Sequence, residues 1–237
     1  MRVASGKPIM TIFVPVPNPD HPAGVGGVYD YASLGQAIQD WFARSDIAGY
    51  VDYFIQKAEQ KIYRDIFAMN RGQGVRAIES AISTTISASG TLALPSGYLG
   101  IKYLLVGIDG RTFMLERRNA EFIYTQFPNR GPVGTPAYVA RDGQNFVFGP
   151  APDSEYTITG VYWQQAGQLT PVNNVTWMTE TIPTILLAAC CGAVARFLND
   201  TQRQQLWDAE YISEMRDFLD ADRAEEQSGS AFAMVSA

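Results

Sequence analysis

The chain has little of the equipment that catalysis needs. Its 237 residues include one histidine, His21, and two cysteines, Cys190 and Cys191. No Cys/His spacing suited to a metal site is present. The phosphate-cradling pattern GxxxxGK followed by Ser or Thr is absent. So is GxGxxG after a strand, because Gly24, Gly26 and Gly27 follow prolines. There is no GxSxG nucleophile elbow. A lone imidazole in a proline-rich stretch, as His21 is, reads as a surface group rather than a base. Cys190 and Cys191 are adjacent on a predicted helix, so their side chains diverge by about a third of a turn and a disulfide between them is not expected. They read as two small buried hydrophobes, which suits a reducing compartment.

Charge is scarce as well. Only 18% of residues are charged, and 18 basic against 24 acidic residues leave a net charge of −6. That balance excludes a general attraction to nucleic acid or to an anionic membrane. The basic–aromatic interleaving of a base-stacking platform is also missing. The longest apolar run, Thr181 to Phe197, is shorter than the ~20 residues of a membrane span and runs into Arg196, Asn199 and Asp200. Arg2 and Lys7 precede a short apolar stretch, but Pro8, Pro15, Pro17 and Pro19 interrupt it, so no secretory signal is expected. Carboxylates gather on the last predicted helix, where a solvated face is the plain reading. Arg111, Arg117, Arg118, Arg130 and Arg141 collect in the middle of the chain, available to phosphates or to acidic partner side chains. This inventory points to a structural or interaction protein, not an enzyme, with no metal or cofactor.

What the chain does have is a helix with no polar side. In Thr181–Phe197, Ile182, Ile185, Leu186, Ala189, Ala193 and Phe197 share one face. Leu187, Cys190, Cys191, Val194 and Leu198 cover much of the other. Thr181 is the expected N-cap, with Pro183 near the first helical position. Such a helix must be covered on all sides. Three amphipathic helices offer to do so. The first spans about Ser33–Arg44, with a Ser33/Gln36 capping box and a stripe of Leu34, Ile38, Trp41 and Phe42. The second spans Tyr50 to about Ala68, with Val51, Phe54, Ile55, Ala58, Ile62 and Ile66. The last follows a Thr201/Gln204 capping box to about Ala224, with Trp207, Tyr211, Met215 and Phe218 joined by Leu206 and Leu219.

Between the second helix and the apolar one the periodicity changes. Strands are predicted over Ile78–Ala88, Thr91–Leu94, Tyr98–Val106, Arg111–Leu115, Tyr138–Ala140, Asn145–Phe148 and Tyr156–Gln165, with hairpin turns at Asp109-Gly110 and Arg141–Gln144. A short helix fits Asn119–Gln126. The fold expected is α+β: a four-helix bundle with an antiparallel β domain inserted between the second and third helices. Its parts are an extended N-terminal arm (1–30), the bundle (31–74 and 179–226), the β domain (75–178) and a C-terminal tail (227–237). Proline excludes helix and central strand from the arm, yet Ile9, Ile12, Phe13 and Val14 are too apolar for a solvated tail. These four residues suit an arm lying on a neighbouring subunit.

Four stretches, in this order, resemble one family. They are SLGQAIQDWFARSD with YVDYFIQKAEQKIYRDI, TLALPSGYLGIKYLLV, YVARDGQNFVFGPAPDSEYTITGVYW, and the apolar helix with FLNDTQRQQLWDAEYISEM. The chain is similar to the head–tail adaptor, or head completion, proteins of short-tailed bacteriophages. The resemblance implies a virion protein assembled in the host cytoplasm. It implies a ring of identical subunits, a dodecamer, between the portal protein and the tail nozzle or tail fibres, with DNA passing transiently through the centre and no membrane involved. The helical part would meet the portal. Trp207, Tyr211, Met215 and Phe218, with Phe232, Met234 and Val235 of the tail, are the candidate portal contacts. The runner-up is a carbohydrate- or receptor-binding virion module that uses the Tyr- and Trp-bearing β part.

Overall fold

The computed structural model describes residues 27–228 except Asp109. Within them the chain is mixed α and β. Helices α1 (Tyr31–Phe42) and α2 (Val51–Met69) come first. Strands β1 (Glu79–Ile86), β2 (Thr91–Ala93), β3 (Tyr98–Ile108), β4 (Arg111–Met114) and β5 (Glu116–Arg117) follow. Then come α3 (Ala120–Gln126), β6 (Tyr138–Asp142), β7 (Asn145–Gly149) and β8 (Tyr156–Gln164). The chain returns to helix in α4 (Trp177–Thr181), α5 (Pro183–Phe197) and α6 (Thr201–Ser228).

α5 is the helix that Thr181–Phe197 foretold. Ile185, Leu186, Ala188, Ala189, Cys190, Cys191, Val194 and Ala195 are all buried. α1, α2, α4 and α6 pack on it. Each contributes the apolar stripe its spacing announced: Leu34, Ile38 and Phe42 from α1, all six named positions of α2, and Tyr211, Met215 and Leu219 from α6. Trp41 departs from its stripe: it lies against Trp207 of α6 and is 60% exposed, while Phe42 beside it is in the core.

The helix starts differ from expectation by a residue or more. At α1 the cap is Asp30: its carboxylate accepts from Ser33 N at 2.8 Å, while Ser33 Oγ accepts from Asp30 N at 2.9 Å. Ser33 is thus the third residue of a capping box, not its first. At α6 the carboxylate of Asp200 accepts from Arg203 N at 3.0 Å, ahead of Thr201. At α5 Pro183 takes the first helical position, but Ile182 precedes it and Thr181 closes the short α4, whose own box pairs Thr176 with Thr179.

The strands form two four-stranded sheets, ordered β1-β8-β3-β4 and β2-β7-β6-β5. Pairing is antiparallel except between β5 and β6, which run parallel through Glu116 beside Tyr138 and Arg117 beside Val139. The two-residue β5 is too short to leave a trace in the sequence pattern. The sheets share one apolar core: Ile86, Ile101, Leu104, Val106, Val139, Phe146, Phe148 and Ile158. β8 serves both sides. Tyr156 and Ile158 enter the sheet core, whereas Trp163 belongs to the helical core, edge-on to Phe67 of α2 at 5.7 Å. Two close approaches permit this. A Cβ at Gly74 would lie 2.6 Å from the Trp163 ring, and one at Gly160 would lie 2.3 Å from the carbonyl oxygen of Tyr103.

Leu186 is fully buried in the first turn of α5. Leu186→Ala is expected to cost about 2–5 kcal/mol, through lost burial and a residual cavity. Urea unfolding followed by circular dichroism measures it; a loss below about 1 kcal/mol would place α5 outside the core.

Candidate partner-binding surfaces

The turn that joins α1 to α2 and the turn that joins α5 to α6 lie at the same end of the helical layer. Aromatic contacts tie them together. Trp41 meets Trp207 edge-on at 5.1 Å, and Tyr50 lies 5.1 Å from Phe197, which also touches Phe54. The guanidinium of Arg203 sits over Phe42. Yet Trp41, Tyr50, Tyr53, Phe197 and Leu206 are between 46% and 67% exposed. Large apolar side chains gathered on one surface mark a contact site more strongly than the same residues scattered singly.

The opposite end of the layer is already occupied. α6 is closed onto the first sheet by ion pairs: Arg76 reaches Asp222 at 3.0 Å and Glu225 at 2.5 Å, and Lys102 reaches Glu79 and Glu226, each at 2.7 Å. Arg76, Glu79, Lys102, Asp222 and Glu226 line a cavity of about 270 Å³ with Trp163 at its wall. The return from β8 to α5 is strapped to α2. Tyr63 Oη accepts from Ala166 N at 2.9 Å and from Trp177 Nε1 at 3.0 Å, and Glu59 Oε1 accepts from Leu169 N at 2.9 Å.

The arginines noted in the sequence serve mostly within the chain. Arg130 donates to the carbonyls of Gly90 at 2.9 Å and Phe148 at 3.1 Å, holding the second sheet to the turn before β2. Arg117 donates to the carbonyl of Ile101 at 2.6 Å, Arg118 pairs with Glu116, and Arg141 donates to the carbonyl of Gly143. Arg117, Arg118 and Arg141 also line a cleft of about 280 Å³ with Tyr98. Arg111 is exposed at the β3–β4 hairpin.

Of the candidate portal contacts, Tyr211 and Met215 are 1% and 0% exposed. They hold α6 to its own chain and offer nothing to a partner, because α5 needs them as its cover. Tyr211 also donates to Asp65 at 3.0 Å, beneath the ammonium of Lys61, which lies 3.0 Å from the ring centre. Trp207 and Phe218 are half-buried against the same core. Phe232, Met234 and Val235, and the arm residues Ile9, Ile12, Phe13 and Val14, lie outside the described residues. The exposed aromatic end was not singled out from the sequence. Its one signal was the crowding of Trp41, Tyr50 and Tyr53 around the Gly49 turn.

The described residues include no group of three or more His, Cys, Asp or Glu placed to hold a metal ion. No described helix is long and apolar enough to cross a membrane. What remains is a scaffold with exposed aromatics at one end of its helical layer and others at Tyr103 and Phe113 of the β3–β4 hairpin, and its kinship is specific. A family model, that of the SU10 adaptor protein, matches residues 29–233. The chain belongs to this family of phage head–tail adaptor proteins. It is therefore a virion component that works between other virion components. No curated protein matches the chain. For an adaptor, the open aromatic end is a natural surface for assembly and the ion-paired end a fixed joint between its helices and its sheets.

Burial pushes the Glu59 carboxyl up to about 7 from an ordinary value of 4.5, opposed in part by the Leu169 amide. The folded chain thus holds this proton more tightly than the unfolded one. Glu59 contributes stability below about pH 4.5 that is lost as pH rises through about 7. The melting temperature of the native protein is expected to fall relative to Glu59→Gln across that window, read by calorimetry. A constant difference would show that the carboxyl is hydrated in the fold.

Proposed function

We propose that this adaptor forms a ring between the portal and the tail nozzle or tail fibres of a short-tailed phage, with a central channel for DNA. In this reading residues 31–74 and 179–226 act as a four-helix bundle, and 75–178 is an inserted β domain that reaches tailward. The protein carries out no catalysis. It is assembled in the host cytoplasm and is dodecameric, as the resemblance implies.

The observation that carries the reading is the open aromatic end. A lone copy leaves Trp41, Tyr50, Tyr53, Phe197 and Leu206 in water, and an assembly that buries them recovers roughly 25 cal/mol per Å². Charge supports the channel. A lumen that gathered phosphates would release counterions and hold DNA, whereas a chain of net charge −6 lets it pass.

A phage carrying a stop codon in this gene tests the proposal. Electron microscopy of the lysate is expected to show filled or emptied heads without tails, and supply of the protein in trans to restore infectivity. Tailed, infectious particles without the protein would refute it.

A further inference from the structure

The aromatic end raises a question the ring alone leaves open, namely what covers it. It is built from two aromatic pairs, Trp41 with Trp207 and Tyr50 with Phe197. Leu206, 67% exposed, directly precedes Trp207 on α6, and Tyr53, half-exposed, lies 5.8 Å from the Phe54 ring that Tyr50 and Phe197 also meet. The polar groups of this surface are the Tyr50 and Tyr53 hydroxyls and the indole N–H of Trp41 and Trp207, which suit the free carbonyls of an extended segment. Its charges are mostly spent within the chain: Arg44 on Asp46, Arg196 on Asp208 and Arg203 on Asp200. Surfaces made of aromatic faces take proline-rich segments, whose backbone needs no partner strand and whose rings pack flat on aromatics.

The chain contains one such segment. Residues 12–19 read Ile-Phe-Val-Pro-Val-Pro-Asn-Pro, apolar and with a proline at every second position from Pro15 to Pro19. They lie outside the described residues, and only their sequence and their tether enter here. The tether is fixed where α1 begins, with Tyr31 N donating to Asn174 O at 2.8 Å. From Gly27 back to Phe13 the chain can span at most roughly 46–50 Å. That reach exceeds the radius of gyration, about 18 Å, of a compact chain of this length, so an adjacent subunit is within range. Return to the same copy's aromatic end would lead back along α1, about 18 Å long. The outward residues of α1 include Gln36, Gln39 and Asp40, which give the apolar arm nothing to rest on.

We propose that residues 12–19 of one copy dock on the aromatic end of the adjacent copy, across Trp41, Tyr50, Phe197, Leu206 and Trp207, and strap neighbouring subunits together. The proposal rests on the ring reading. It gives the arm residues Ile12, Phe13 and Val14 a receptor. It also makes the interface head-to-tail: each copy gives its arm to one neighbour and receives one from the other, as a closed ring requires.

Photocrosslinking in assembled particles tests it. A benzoylphenylalanine replaces Leu206, or Tyr53 in a second preparation should the first fail to assemble. Isotopically light and heavy protein are mixed in equal amounts before assembly. The expected product joins the probe to a peptide containing residues 12–19, with light–heavy pairs making up half of the crosslinks. Phe13→Ser with Val14→Ser should remove most of it. Light–light and heavy–heavy products alone would mean that the arm covers its own copy, and would overturn the proposal. So would crosslinks to another virion protein only, or a crosslink indifferent to the double substitution. In those cases the ring reading survives. Tailed particles that contain no copy of the protein would instead overturn the ring reading itself.

Discussion

A helix without a polar side dictates this structure. α5 cannot lie on a surface, so residues from both ends of the chain must come together around it. α1 and α2 arrive from the first seventy residues, and α6 from the last forty. All the strands lie between α2 and α4 in sequence, so they are held at both ends by elements that share α5 as their core. The joint is then tightened by specific polar contacts. Tyr63 and Glu59 strap the returning segment to α2, and Arg76 and Lys102 clamp α6 to the first sheet. Trp163, in the strand shared by the core of each half, completes the link.

This arrangement separates two tasks. One end of the helical layer is rigidly tied to the sheets through paired charges. The other end carries aromatics that the described residues leave exposed. A connector between large neighbours needs both properties: an internal geometry that does not flex, and a surface that is unsatisfied until the neighbours arrive. The chain's distinctive side chains, the four tryptophans included, pack at joints and at the open end rather than around a shared cleft. All four take part in the contacts described: Trp163 at the sheet–helix joint, Trp177 in the strap to Tyr63, and Trp41 and Trp207 at the open end.

Much of the fold was legible because burial and periodicity agree. The six apolar positions of α2 recur at three and four residues, and all six are in the core. The alternation in Tyr156–Gln164 set one face toward the sheets, and Trp163 on the other toward the helices. Less legible were features decided by a competition between near-equals. Asp30 and Ser33 can each cap a helix, and so can Asp200 and Thr201; the carboxylate won both times. The parallel pairing of β5 rests on two residues and has no sequence signature. The open end was missed for a related reason. Helical spacing places Trp41 with Leu34 and Ile38, but spacing does not say which positions of a stripe its neighbours cover: Phe42 is in the core and Trp41 is not. For the same reason Tyr211 and Met215 looked like partner contacts: an apolar stripe does not say whether its cover is internal or external. Here α5 claims them.

The central claim is that the aromatic end exists to be buried by assembly. Hydroxyl-radical footprinting of the isolated protein and of intact virions, read by mass spectrometry at Trp41, Tyr53, Phe197 and Leu206, addresses it most directly. The account predicts ready labelling of all four in the isolated chain and strong protection in the virion, with Val172, which is 96% exposed and far from this end in sequence and structure, serving as the internal reference. Equal labelling of the four residues in both states would contradict it.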